Sequence, residues 1–130
     1  MRAGLVLAAI VVAGAAAAQE VPVETGVLGG SAITLYLHPF LTAEELATLR
    51  LVMTNEQALA LFVPEKSGFA ALAMSPDDGF IRGGAPVASA IALGDLPAAD
   101  EARAGAVAAC DAARKGTVPC VVVLDVAPAR

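Results

Sequence analysis

The sequence is poor in aromatic and in basic side chains. It has no tryptophan and one tyrosine, and lysine occurs only at Lys66 and Lys115. Proteins that bind nucleic acids or anionic lipid head groups need clustered lysine and arginine. The chain has no such cluster, and its formal net charge is −5. We therefore expect no nucleic acid among its partners.

Long apolar runs are also missing, although 58% of the residues are hydrophobic and the mean hydropathy is +0.73. The most apolar stretch is residues 5–12, which is far shorter than the roughly 20 residues of a membrane-spanning helix. Charged residues or prolines interrupt every later apolar run. The sequence therefore predicts no membrane span in the mature chain.

The first eighteen residues have the three parts of a secretory signal peptide. Arg2 supplies the positive charge, residues 5–12 form the apolar segment, and residues 13–18 are small. Signal peptidase needs small side chains just before the cut, so cleavage is expected between Ala18 and Gln19. The alternative is a buried alanine-rich helix. We expect the cleaved chain to be acidic and to be periplasmic or secreted in a bacterium.

Residue sets that carry catalysis or bind cofactors are missing as well. There is no Gly-x-Ser-x-Gly elbow and no phosphate-binding loop, and the single histidine, His38, precedes a proline. The adjacent Asp77 and Asp78 lack the spacing of a calcium loop and fit a turn instead. The sequence therefore predicts no catalytic, cofactor-binding or metal-binding residue.

Only two cysteines are present, Cys110 and Cys120. In an exported chain, an even number of cysteines first indicates a disulfide. On the chain-entropy account, closing a loop of this length stabilises the fold by roughly 2–3 kcal/mol. Two free thiols are the main alternative. A metal site or a redox-active pair is a weaker one, because further ligands and the Cys-x-x-Cys spacing are missing.

The first half of the chain contains one predicted strand and one predicted helix. Residues 19–30 show no periodicity and are predicted to be a flexible lead-in to a single domain of residues 31–130. Residues 31–37 alternate apolar and polar side chains, which is typical of a half-buried strand. Thr42 and Glu45 have the spacing of a capping box, so a helix is predicted over about residues 43–53.

The middle of the chain is harder to interpret. Residues 58–63 fit either a helix or a buried strand, and the proline that follows them slightly favours the strand. Residues 68–74 are predicted to form a buried strand that ends in a turn at residues 75–79. We expect the chain to return antiparallel through residues 80–82, with a further strand segment at residues 87–93.

The last part of the chain predicts a long helix and a central strand. Residues 100–115 are rich in alanine, with acidic residues first and basic residues last, and Gly116 is a plausible C-cap. Residues 118–126 are β-branched and apolar, as in a strand covered on both faces. Together these elements predict an α+β fold: a small antiparallel sheet packed by one long Ala-rich helix and one shorter capped helix, with one disulfide.

The second half also resembles a known kind of protein. Residues 68–79, Gly-Phe-Ala-Ala-Leu-Ala-Met-Ser-Pro-Asp-Asp-Gly, precede an alanine-rich helix that ends in Cys110 and the strand Pro119-Cys120-Val-Val-Val. This order resembles a small secreted proteobacterial domain of unknown function and covers about residues 68–126. A longer Gly/Pro-rich insert between turn and helix departs from that pattern. The resemblance implies the order of elements and no biochemical activity.

A second resemblance concerns the end of the chain. Pro119, Cys120, Asp125 and Pro128 match a Pro-Cys-Val-x-x-x-Glu/Asp-x-x-Pro ending that is similar to a set of alphaproteobacterial exported proteins, some of which carry the label aminolevulinate synthase. The residues do not support that chemistry. A pyridoxal phosphate enzyme needs a Schiff-base lysine, a phosphate cradle and a carboxylate at the pyridine nitrogen, and such chains are much longer.

Two functional hypotheses of different class follow. The first is a non-catalytic binding or envelope-associated module that holds an envelope protein or peptide through a sheet edge or through the apolar insert at residues 86–93. The second is a small periplasmic hydrolase or lyase that uses His38 with acidic neighbours. The missing catalytic sets favour the first hypothesis. The sequence gives no oligomeric state.

Overall fold

A computed structural model describes residues 21–63 and 68–129 of the chain. The predicted signal peptide and its cleavage site, Ala18 and Gln19, lie outside the described residues. The strands are β1 (Val23–Leu28), β2 (Ser31–Tyr36), β3 (Phe69–Met74), β4 (Ile81–Arg82), β5 (Ala85–Pro86), β6 (Ile91–Leu96) and β7 (Val121–Pro128). The helices are α1 (Ala43–Thr54), α2 (Glu56–Phe62) and α3 (Ala99–Ala113).

Five strands form one antiparallel sheet in the order β1-β2-β7-β3-β6. The predicted α+β class is thereby confirmed. The last strand of the chain, β7, lies in the middle of the sheet, as its β-branched and apolar sequence predicts. Strands β4 and β5 form a separate two-stranded hairpin in the connection between β3 and β6.

One face of the sheet packs against α1 and α2 and holds the large apolar side chains. Leu49 and Val52 of α1 meet Ile33 and Leu35 of β2 and Leu72 of β3 in one buried cluster. The strand periodicity explains this arrangement, because every second residue of a strand points to the same face. This layer carries most of the apolar burial in the fold.

The opposite face packs against α3 through small side chains. Ala102, Ala106 and Cys110 of the helix are buried against Ala71 and Ala73 of β3. They recur every fourth residue and therefore lie on one side of the helix. This face of small side chains allows the helix to approach the sheet closely.

The predicted capping box at the start of α1 is confirmed. The Thr42 hydroxyl accepts a hydrogen bond from the Glu45 backbone N–H (3.1 Å), and Glu45 Oε1 accepts one from the Thr42 backbone N–H (3.1 Å). Each end of the box thus satisfies a backbone donor that the first helical turn leaves without a partner.

The prediction of a flexible lead-in is wrong for residues 23–28, which form β1 and pair with all six residues of β2. The connection is a two-residue hairpin at Gly29 and Gly30, and Gly29 adopts a φ of +62°. A side chain there is strained, which glycine avoids. Val23 and Val27 lie on the exposed face of β1, whereas Glu24 and Gly26 lie on the face toward α1, so the apolar residues of this strand do not mark its buried face.

The preference for a strand at residues 58–63 is also wrong, because these residues lie in or directly after helix α2. The Asn55 side chain accepts a hydrogen bond from the Ala58 backbone N–H (2.9 Å) and caps the helix. Leu59 is buried whereas Leu61 is 83% exposed. The segment is therefore amphipathic and not a strand buried on both faces.

The turn at residues 75–79 is confirmed, with a hydrogen bond from the Gly79 backbone N–H to the Ser75 carbonyl (2.8 Å). The expected return beside β3 is wrong. Gly83 and Gly84 both have positive φ and turn the chain into the β4–β5 hairpin, as two-residue turns of this kind do. The further strand segment predicted at residues 87–93 is instead β6, Ile91–Leu96, which takes the place next to β3.

The predicted ends of α3 and β7 are shifted. The helix ends at Ala113, with Arg114 in an extended conformation, so Gly116 is not its C-cap. Strand β7 begins at Val121 and contains one extra residue, Val123, where its register with β3 shifts. This bulge turns both Val123 and Leu124 toward the α1 face. No helix within residues 21–63 and 68–129 is long and apolar enough to cross a membrane.

Candidate functional site

Cys110 and Cys120 form the predicted disulfide. Cys110 is the buried end of the small-residue face of α3, and Cys120 directly precedes β7. The bond therefore joins the helix on one face of the sheet to the central strand. Both sulfurs are packed among alanines, away from any open surface. The disulfide is therefore part of the packing between α3 and the sheet.

The loop between the two cysteines is held by three carboxylates. Asp78 accepts hydrogen bonds from the backbone N–H groups of Lys115 (2.8 Å) and Gly116 (2.9 Å). Asp77 accepts those of Thr117 (3.0 Å) and Val118 (3.3 Å), and Asp111 accepts that of Cys120 (2.9 Å). The Lys115 and Ser89 hydrogen bonds hold the pKa of the Asp78 carboxyl below its ordinary value. Because these hydrogen bonds hold the backbone of residues 115–118 outside the helix, α3 ends at Ala113, before the predicted end at residue 115.

His38 lies half-buried just after β2, and its ring stacks on Phe40 at 5.1 Å between centroids. Nε2 lies 3.0 Å from the Val122 carbonyl oxygen, so this nitrogen carries the proton and donates. Within the described part of the chain, this carbonyl is the one hydrogen-bond partner of the ring. The structure therefore brings no carboxylate or hydroxyl into hydrogen-bond contact with His38, and the hydrolase hypothesis gains no support.

A polar cluster that the sequence analysis missed joins β2, β7 and α3. The Tyr36 hydroxyl donates to Asp125 Oδ2 (2.7 Å), and Arg103 Nη1 donates to the same oxygen (3.1 Å). Burial, together with the hydrogen bond to Asp125, raises the pKa of Tyr36 to about 12. Every polar group named here has a partner within the cluster. The cluster therefore fixes α3 over the sheet.

The sequence suggests two binding surfaces, a sheet edge and the apolar insert at residues 86–93. Much of the insert already packs against the rest of the protein. Ile91 and Leu93 lie in β6 and pack against the small-residue cluster beneath α3. Ser89 is buried and donates to Asp78. Ile91 and Leu93 are thus half-buried against the core. The sheet edge at β1 is the remaining candidate for a binding surface.

Strand β1 is a long, regular edge of the sheet. Its pairing with β2 runs through six residues without a shift. The opposite edge, β6, is different: its register with β3 shifts, and Asp95 there has a φ of +62°. Bulges and irregular twist protect an edge from pairing with another chain, whereas a flat regular edge offers free N–H and C=O groups. Of these two edges, only β1 is regular and offers free N–H and C=O groups to another chain.

A groove of about 540 Å³ runs between β1 and α1. Gly26 forms part of its floor, since a Cβ at this position would lie 3.5 Å from the Met53 methyl group. At one end, Arg50 Nε donates to Glu24 Oε1 (3.0 Å). On the other face of β1, Val23 is 48% and Val27 is 70% exposed. The groove size lies within the range of ligand-binding clefts.

The groove holds no group that points to chemistry on a substrate. The hydrogen bond from Arg50 holds the pKa of Glu24 below its ordinary value, so this carboxylate stays charged and paired. In the described ranges there is no group of three or more His, Cys, Asp or Glu side chains that could hold a metal ion. The arrangement suits the binding of an extended chain.

Comparison of the chain with protein-family models, with curated proteins and with solved structures finds no match.

Proposed function

We propose that the protein is an exported, non-catalytic binding module that holds an extended segment of an envelope protein or peptide against β1. The observation that carries the proposal is the regular edge strand beside an open groove. An extended peptide added to such an edge gains main-chain hydrogen bonds, and the alternate side chains determine specificity. One set of side chains would enter the groove beside α1, and the other would cover Val23 and Val27.

Support for export comes from two separate features. The leader has a charge, an apolar segment and small residues in the order that signal peptidase requires, and disulfides persist in oxidising compartments. Mass spectrometry of the protein recovered from its native cell tests the proposal. We expect a chain that begins at Gln19 and contains the disulfide. A chain that retains residues 1–18 in the cytoplasm would refute export.

The binding proposal is tested by filling the groove. Gly26→Val adds a β-branched side chain that suits a strand, and its Cβ makes only an ordinary contact with Met53. Peptides selected from a random display library on the purified protein are then measured against both forms. We expect Gly26→Val to weaken their binding at least tenfold while the thermal unfolding temperature stays the same.

The matched control is Leu61→Ala, because Leu61 is an exposed apolar residue on α2 that does not line the groove. We expect this variant to bind the selected peptides as well as the wild type does. Amide exchange should slow in β1 on binding. If selection yields no binder, or if the binders bind both groove forms equally, the proposed function is wrong.

A further inference from the structure

The two ends of the β1 edge differ in charge. Arg50, at one end, is neutralised by Glu24. Glu56 lies at the hairpin end, next to the groove but not among the residues that line it, and its Oε2 is 3.1 Å from the position that a Cβ on Gly29 would occupy. Glu56 is exposed. Over residues 21–63 and 68–129, Glu56 makes no ion pair.

This unpaired carboxylate contrasts with the arginines of the described part of the chain, each of which already has an acidic partner. The pairs are Arg50 with Glu24, Arg82 with Glu45, Arg103 with Asp100 and Asp125, and Arg114 with Asp111. No arginine among the described residues is therefore left to neutralise Glu56. A lysine or arginine of an incoming chain would pair with the Glu56 carboxylate.

The spacing suits a single added strand. Gly29 follows Leu28 at the end of β1, so Glu24 and Gly29 are five residues apart, or roughly 17 Å at 3.3 Å per residue. An extended segment of about six residues spans this distance. Its middle lies beside Gly26, which has no side chain, and beside the apolar side chain of Met53.

From this geometry we infer that the occupant is an extended segment of a partner protein with apolar residues in its middle and a lysine or arginine at the end beside Glu56. The inference rests on the proposed function. A second copy of this chain fits less well, because each copy has a net charge of −5 and brings no free arginine to the edge. Like charges on two partners oppose association.

The probes are two eight-residue peptides of alternating valine and threonine, blocked at both termini. One carries lysine at both ends and the other carries glutamate, so the comparison does not depend on the direction of the strand. Dissociation constants are measured by fluorescence anisotropy at about 20 mM and about 500 mM salt, because screening weakens exposed charge pairs. The proteins are the wild type, Glu56→Gln and Glu56→Lys.

We expect the wild type to bind the lysine peptide about two- to fivefold more tightly than the glutamate peptide at low salt, as is typical of an exposed ion pair. Glu56→Gln should remove this preference, and Glu56→Lys should reverse it. The control is Glu101→Gln, since Glu101 is an exposed acid on α3, on the opposite side of the sheet. It should leave the preference unchanged.

The outcomes separate the inference from the function it rests on. If both peptides bind the wild type equally and Glu56→Gln changes neither, the function stands and the inference about charge is wrong. If neither peptide binds, the proposed function fails and the inference fails with it. If sedimentation shows the free protein to be a dimer that Gly26→Val dissociates, a second copy occupies the edge and the inference is overturned.

Discussion

The carboxylate of Glu45 is fully buried and ties two distant parts of the chain together. Oε1 completes the capping box of α1, while Oε2 accepts hydrogen bonds from the backbone N–H groups of Phe80 (2.8 Å) and Ile81 (3.0 Å) and from Arg82 Nε (3.0 Å). Substitution by glutamine keeps the shape and removes the charge. The amide NH2 must then face at least one of these donors.

The size of the effect can be worked out from the pKa. Burial raises the pKa of Glu45, but the hydrogen bonds from Phe80, Thr42 and Arg82 outweigh it and lower the pKa to about 2 from an ordinary value of 4.5. Since a pKa change of one corresponds to about 1.4 kcal/mol, the folded state gains roughly 3 kcal/mol from the ionised form. We expect Glu45→Gln to lower the free energy of unfolding at pH 7 by about this amount.

The pH dependence has a definite sign. The folded pKa lies below the unfolded one, so the contribution is complete above about pH 5 and is lost as the pH falls toward 2. Between pH 5 and pH 3, about 2 kcal/mol of it should disappear. The difference in unfolding free energy between wild type and Glu45→Gln should shrink by that amount.

The assay is urea denaturation followed by far-UV circular dichroism at pH 7, 5 and 3. Glu44→Gln is the control, because Glu44 is an exposed acid in the same helical turn, and its unfolding free energy should change by less than about 0.5 kcal/mol. If Glu45→Gln does not fold, Thr42→Ala tests one end of the network at a cost of about 1 kcal/mol. Equal stability of Glu45→Gln and wild type at every pH would refute the reasoning.

Two further predictions concern the α3 layer. Replacing Cys110 and Cys120 together by serine should lower the unfolding free energy by roughly 2–3 kcal/mol, because the loop between them is no longer closed in the unfolded chain. Urea denaturation measures this loss, and an unchanged denaturation midpoint would contradict the prediction. Ala106→Leu should lower the free energy of unfolding by about 1–3 kcal/mol, because it overfills the contact with Ala73. Ala108→Leu, on the exposed side of the helix, should change it little. Equal thermal unfolding temperatures for the two variants would disprove the close packing.

The elements that the sequence predicts correctly are those with a local cause. The alternation in β2, the Thr42–Glu45 spacing and the β-branched run of β7 each reside within a few neighbouring residues. The disulfide also follows from the count of two cysteines in a chain that is predicted to be exported. In these cases, short-range geometry and burial favour the same structure.

The features that the sequence does not predict depend on contacts between residues far apart in the chain. Nothing near Glu45 indicates that its second oxygen binds Phe80 and Ile81, and nothing near Asp78 indicates the backbone of residues 115–116. The groove likewise exists only because β1 and α1 lie side by side. The hairpin at Gly29 and Gly30 did have a local signal, a pair of glycines directly before the alternating residues 31–37.

The central position of β7 has a consequence for how the chain folds. Strands β2 and β3 do not touch; each pairs with β7, whose residues are the last described ones to be synthesised. The β1–β2 and β3–β6 pairs can form early, but the ladder that joins them must wait, since Ile33 pairs with Val126. Contacts of such long sequence separation slow folding. The two strand pairs can therefore be joined into one sheet only after β7 has been made.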